Sequence, residues 1–120
     1  MYALNTSTMT IEGFTASSIS VSNLHFVATI YDVRQEQKPD FSEYFRAPVL
    51  TTFTGVSTVT LIPAPGQNIF RKIERLQVYN ADNVSHTVSM RYNNNNTTYF
   101  IAKQLMASTE TFDLIKLRII

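Results

Sequence analysis

Apolar and polar residues alternate with a period of two along much of the chain, the signature of half-buried β-strands. Leu24, Phe26, Ala28 and Ile30 alternate with His25, Val27, Thr29 and Tyr31, predicting a strand over 24–34. Both sets contain apolar residues, so burial on both faces is expected. Over 84–92, Val84, His86, Val88, Met90 and Tyr92 share one face, and Ser85, Thr87, Ser89 and Arg91 share the other. Asn93 to Asn96 follow, and asparagine tolerates the left-handed backbone of tight turns. Alternation resumes from Thr97 to Leu105, so 84–105 reads as a β-hairpin. Further strands are expected near 49–54, 57–62, 69–80 and 110–118. Within 69–80, Ile69 and Ile73 have one parity while Leu76 and Val78 have the other. A β-bulge between them accounts for the shift, because one extra residue flips every later side chain.

Two regions break the pattern. Residues 1–20 are rich in Thr and Ser, with Met9, Ile11, Phe14 and Ile19 isolated among them. These apolar residues are too sparse for a strong internal strand and too many for a solvated tail. They predict an extended N-terminal arm, or short edge strands, that buries them against a neighbouring subunit. In 35–48, Asp40 and Glu43 stand three apart as in a capping box, and Phe41, Tyr44 and Phe45 share a helical face. Pro48 would end such a helix. The expectation there is a loop or a short helix over 41–46. The remainder, 21–120, reads as one domain: an all-β protein, a single β-sandwich of immunoglobulin-like or jelly-roll topology.

The length of 120 residues suits one core. Charged residues make up only 16%, about two-thirds of the usual share, and Thr, Ser and Asn stand in their place. Such a surface loses water to a protein neighbour at lower cost than one dense in charge. The net charge is +1 and the basic residues are scattered, apart from Arg71, Lys72 and Arg75. Nucleic-acid binding is not expected without a basic stripe. The chain has no Cys, which excludes disulfides and zinc–cysteine sites. No apolar run is long enough to span a bilayer, and the first residues lack a signal peptide's pattern, so synthesis in a cytoplasm is expected.

Catalysis has few candidates. His86 falls among Val84 and Val88, and His25 between Leu24 and Phe26, so both read as structural histidines. No serine sits in a Gly-x-Ser-x-Gly elbow. Asp32, Glu36, Asp40 and Glu43 are the densest carboxylates, but they lack calcium-loop spacing. Gly13, Gly55 and Gly66 are isolated and form no phosphate-binding loop. The expectation is a protein without enzyme activity, catalytic residues, metal or cofactor.

One stretch resembles a known group. Thr58-Val59-Thr60-Leu61 leads through Pro63-Ala64-Pro65-Gly66 to Arg71-Lys72-Ile73. Leu76-Gln77-Val78-Tyr79-Asn80-Ala81-Asp82 follows, then Thr87-Val88-Ser89-Met90-Arg91-Tyr92. This order of strands and turns resembles small β-sandwich virion proteins of tailed bacteriophages, which occur as capsid decoration, neck and tail components. It covers about half the chain. Pro63 and Pro65 should end a strand and block edge pairing. Gly66 should supply a positive φ, and Asn80 and Asp82 should form a turn through side-chain-to-backbone bonds.

The resemblance implies a structural subunit of the virion, with capsid decoration, or cementing, as the leading expectation. A neck or tail subunit comes second and a carbohydrate-binding module third. The expected partners are other virion proteins and further copies of the chain, as a homo-oligomer. The expected assembly contacts are Met9, Ile11, Phe14, Ile19, Phe41, Tyr44 and Phe45.

Overall fold

The longest alternating runs make the longest strands. In a computed structural model describing residues 2–34, 44–116 and 118–120, β3 (Leu24–Arg34) lies between β4 (Tyr44–Phe53) and β6 (Ile69–Tyr79), antiparallel to both. The far edge of β6 is shared. β1 (Tyr2–Leu4) pairs with its first half and β9 (Thr111–Asp113) with its second, and β10 (Arg118–Ile119) continues beyond β9. These six strands form one sheet. The other has four strands in the order β5 (Val59–Ile62), β2 (Met9–Thr15), β7 (His86–Asn94), β8 (Thr97–Met106). The two antiparallel sheets pack together as the expected β-sandwich.

The inward face of each strand supplies the core. Phe26 and Ala28 of β3, Phe53 of β4, Ile73, Leu76 and Val78 of β6, and Val88 and Met90 of β7 are all buried. Phe26 and Phe53 meet edge to face, with ring centroids 6.4 Å apart. The parity break in β6 is a bulge: Thr29 faces Arg75 and Ile30 faces Ile73, leaving Glu74 unopposed. That extra residue lets both Ile73 and Leu76 point inward. The 84–105 hairpin is present, turning at Asn95 and Asn96, which have φ of 53° and 70°.

Four expectations are corrected. The outer face of β3 is not buried, since His25 is exposed and Val27 and Thr29 are only half-buried. Residues 1–20 are no arm: β2 is an interior strand with hydrogen-bonded neighbours on both sides. Leu4 and Ile11 lie wholly inside the core, and only β1 answers to a short edge strand. Backbone pairing to β5 and β7, invisible to a count of apolar residues, is what fixes β2. The expected helix at 41–46 is replaced from Tyr44 onward by β4, which runs through Pro48; residues 35–43 lie outside the described residues. Proline is accommodated because, among the described residues, β4 is the edge of its sheet, where no further strand needs its missing N–H. Finally, the positive φ after the Pro-Ala-Pro-Gly turn belongs to Asn68, at 59°, and not to Gly66. The strand before that turn does stop at Ile62, as Pro63 requires.

A candidate docking face and a buried Ser–His–Asp chain

The four-stranded sheet turns an aromatic and charged array outward. Arg91 of β7 opposes Glu12 of β2 and Phe100 of β8, and Phe14 lies two residues beyond Glu12, so Phe14, Arg91 and Phe100 share the face away from the core. Arg91 Cζ lies 5.2 Å from the Phe14 ring centroid and 5.8 Å from that of Phe100. The two rings approach edge to face, with centroids 6.5 Å apart. Arg91 Nε donates to Glu12 Oε1 at 2.6 Å, and Asn93 Nδ2 donates to Glu12 Oε2 at 3.1 Å. Glu12 is nearly buried on an outer sheet face, held there by Arg91 and Asn93. Paired acid and base leave the array close to neutral and fix Arg91 in one orientation. Phe100 remains 62% exposed. Beside it lies a shallow hollow of about 460 Å³ lined by Phe14, Ser89, Phe100, Ile101, Ala102 and Lys103.

The six-stranded sheet has its own outer features. Arg46 makes a two-pronged contact with the bulge residue Glu74, at 2.9 and 3.0 Å, and lies 5.3 Å from the Tyr31 ring centroid. Leu50, Val27 and His25 line a hollow near the end of β4. His25 is exposed beside Tyr79, with ring centroids 6.0 Å apart, and so is not the partly buried histidine expected of that position. Asp32 is held by Arg71 Nε and Nη2 at 2.8 and 3.0 Å, while Arg71 Nη1 donates to the Pro63 carbonyl. Glu36, Asp40 and Glu43 lie outside the described residues. Among the described residues, no group of three His, Cys, Asp or Glu could hold a metal.

The second histidine has partners the sequence did not announce. His86 Nε2 lies 2.6 Å from Asp82 Oδ2, and His86 Nδ1 lies 3.0 Å from Ser17 Oγ. The residue types are those of a hydrolytic triad, but the geometry differs. The serine meets Nδ1 and the carboxylate meets Nε2, the reverse of the serine-protease arrangement. The imidazole is also sealed from solvent, leaving a substrate no approach to it. Asp82 is occupied by backbone donors as well: Ser20 N–H at 2.8 Å, Val21 N–H at 2.8 Å, Ser22 N–H at 3.2 Å and Asn83 N–H at 2.9 Å. Burial pushes this carboxyl's pKa up. The opposing bonds from Ser20, His86, Val21 and Asn83 outweigh it and hold the group well below the usual carboxylate range. An ionised carboxylate only accepts, so Nε2 carries the hydrogen, and in the neutral ring Nδ1 accepts from Ser17.

Neighbouring Asn80 is fully buried. It donates to the carbonyls of Val84 and Met106 and accepts from Asp82 N–H, forming the expected turn. Asp82 and His86 thus staple the 16–22 loop to the corner between β6 and β7, and Asn80 ties that corner to the end of β8.

The expected assembly contacts separate in space. Ile11 is inside the core, and Met9 and Ile19 pack against it, so their own domain takes them. Phe14 alone of the four looks outward. Phe41 lies outside the described residues; Tyr44 and Phe45 are placed as β4 backbone, and their side chains are not described. Nothing in the sequence joins Arg91, Glu12, Asn93 and Phe100 into one array. The one available signal was Arg91's position on the polar parity of the hairpin, but its partner Glu12 lies 79 residues earlier. No protein-family model, curated protein or solved structure matches the chain.

Proposed function

We propose that the chain is a non-catalytic structural subunit of a tailed-phage virion, decorating the capsid by adhesion to neighbouring subunits. The observation that carries the adhesive part is the Phe14–Arg91–Phe100 array. Interface hot spots are enriched in aromatics and arginine, and preordered side chains lose little entropy on binding. Here Glu12 and the two rings already hold Arg91, and its charge is matched before any partner arrives. The sparse surface charge and the strand-and-turn resemblance to phage virion proteins support the setting. A neck or tail position would use the same face under a different symmetry. Sugar stacking is less well served, since Arg91 already lies against both rings.

The test is mass spectrometry of intact particles from the phage that encodes the chain. A copy number matching the major capsid protein supports decoration, and a small ring-like number moves the subunit to the neck or tail. Absence from the particle overturns the proposal. Phe14→Ser should release the subunit from particles while leaving its circular dichroism unchanged.

A further inference from the structure

The sandwich has several sheet edges, and most are blunted. β4 carries Pro48, β5 has four residues and runs into Pro63, and β1 and β10 have three and two residues. β8 is different. It is the outer strand of its sheet, ten residues long, without proline, and its only charge is Lys103. One lysine and the irregularity at Ile101 are all that guard it, and a long edge guarded by so little is a template for another strand.

The side-chain order along β8 restricts what that strand can be. Thr98 and Phe100 oppose Asn93 and Arg91 on the outer face, and Lys103 and Leu105 oppose Ser89 and Thr87 there too. Tyr99, Ala102, Gln104 and Met106 oppose Tyr92, Met90, Val88 and His86 on the inner face. Strict alternation fails between Phe100 and Ala102, because Met90 faces Ala102 while Arg91 faces Phe100, leaving Ile101 as an extra residue. A regular strand laid along β8 therefore matches faces on only one side of Ile101. The order is nonetheless symmetric about the point between Ile101 and Ala102. Thr98 and Leu105 share a face, as do Tyr99 and Gln104, and Phe100 and Lys103. A strand with the same irregularity, running the other way, matches throughout.

We infer that the free edge of β8 pairs antiparallel with β8 of a second copy of this chain, about a two-fold axis between Ile101 and Ala102. In this register Lys103 faces the partner's Phe100, an ammonium against an aromatic ring, and never faces Lys103 of the other copy. Arg91, the other cation near Phe100, is already paired with Glu12. Each copy places Leu105 beside Thr98 of the other, and the two four-stranded sheets become one of eight strands. The interface is isologous, so it closes at the dimer and leaves no β8 edge to propagate. The inference does not depend on the virion reading.

Light scattering and sedimentation of the full chain should report twice the 13.6 kDa chain mass. The chain has no cysteine, so introduced pairs report cleanly. The double variant T98C/L105C should crosslink into a covalent dimer on oxidation, because directly opposed residues lie within disulfide reach. The off-register variant F100C/L105C should not. Phe100→Lys sets like charges opposite each other twice and should weaken the dimer roughly tenfold. The double variant F100K/K103E sets opposite charges there and should restore it, with melting curves confirming that every variant is folded. A monomeric parent, a species that grows beyond the dimer, crosslinking only in the off-register variant, or no recovery in F100K/K103E each overturns the inference.

Discussion

The Asp82 carboxylate and the His86 imidazole meet at 2.6 Å with neither side chain exposed to solvent. Four backbone N–H groups share the same carboxylate, so one ionised side chain orders two connections of the sandwich. Its folded-state pKa lies below that of the unfolded chain. The stability it contributes is therefore fully present above the ordinary carboxylate value of about 3.9, and it is lost as pH falls through the lower folded value. Asp113 acts in the same direction: burial pushes its pKa up, but bonds from Lys116, Gln77 and Ile115 and the Lys116 charge prevail. Thermal melts from neutral to strongly acidic pH should show Tm falling below about pH 4. Asp82→Asn should lower Tm at neutral pH and flatten that acid limb; an unchanged limb would mean that Asp82 is not its source.

Ser17 is expected to be dispensable. Its hydroxyl is on an exposed loop, and what it offers His86 Nδ1 a water molecule can also offer. Ser17→Ala should shift Tm by a few degrees at most, whereas His86→Ala should unseat the loop and cost far more. Hydrolysis of activated esters by the parent that disappears in Ser17→Ala would overturn the structural role assigned to this chain of residues.

Gly13 should tolerate no larger residue. A β-carbon there would lie 2.5 Å from Phe53 Cε1 and 2.7 Å from Leu61 Cδ1, between the two sheets. Gly13→Ala is expected to cost about 1–3 kcal/mol through overpacking. Adding Phe53→Leu, which shortens the clashing side chain, should make the second substitution less costly than it is alone. Chemical denaturation of the four members of this cycle gives the coupling, and strict additivity would show that Gly13 is not limited by Phe53.

Val88 is buried at the centre of the four-stranded sheet. Val88→Asp would place an unpaired carboxylate there, at a cost of several kcal/mol against a total stability of about 5–15. The variant should be unfolded by circular dichroism at room temperature. A melting point near that of the parent would mean that this strand does not face the core.

Removing residues 2–20 should leave the chain unable to fold. The deletion takes away β1 and the strand between β5 and β7, and with it the buried Leu4 and Ile11. A sharp thermal transition in the truncated protein would show that the remaining strands can close the sandwich alone.

How far the sequence could be read depended on the distance between partners. The hairpin and the β6 bulge are local, so the asparagine run and the shift from Ile73 to Leu76 revealed them directly. β2 is hard to read from the sequence because Met9 and Ile11 share their stretch with only one other strongly apolar residue, Phe14, and Gly13 looks like a break. In the structure that glycine is the thin point that makes room for Phe53 of the facing sheet and Leu61 of neighbouring β5. The aromatic spacing that predicts a helix over 41–46 is one that a strand also allows, and Pro48, which would end a helix, is accommodated in an edge strand. Phe14 is expected from the sequence only as one of four apolar residues of an arm that packs on a neighbouring subunit. Its real setting depends on Arg91 and Phe100, which only the β2–β7–β8 order brings beside it.

That order also sets a clock. Glu12 is joined to Arg91 across 79 residues of chain, and β2 has β7 as its longest partner. At ribosomal speeds of roughly 5–20 residues per second, the nascent β2 waits about 4–16 seconds before Arg91 is even made. Throughout that interval β2 lacks its longer partner, and it has only β5 to pair with once residues 59–62 are made. Production of the protein is thus most exposed to misassociation during translation, and slower synthesis of its second half should reduce the soluble yield even though the finished fold is unchanged.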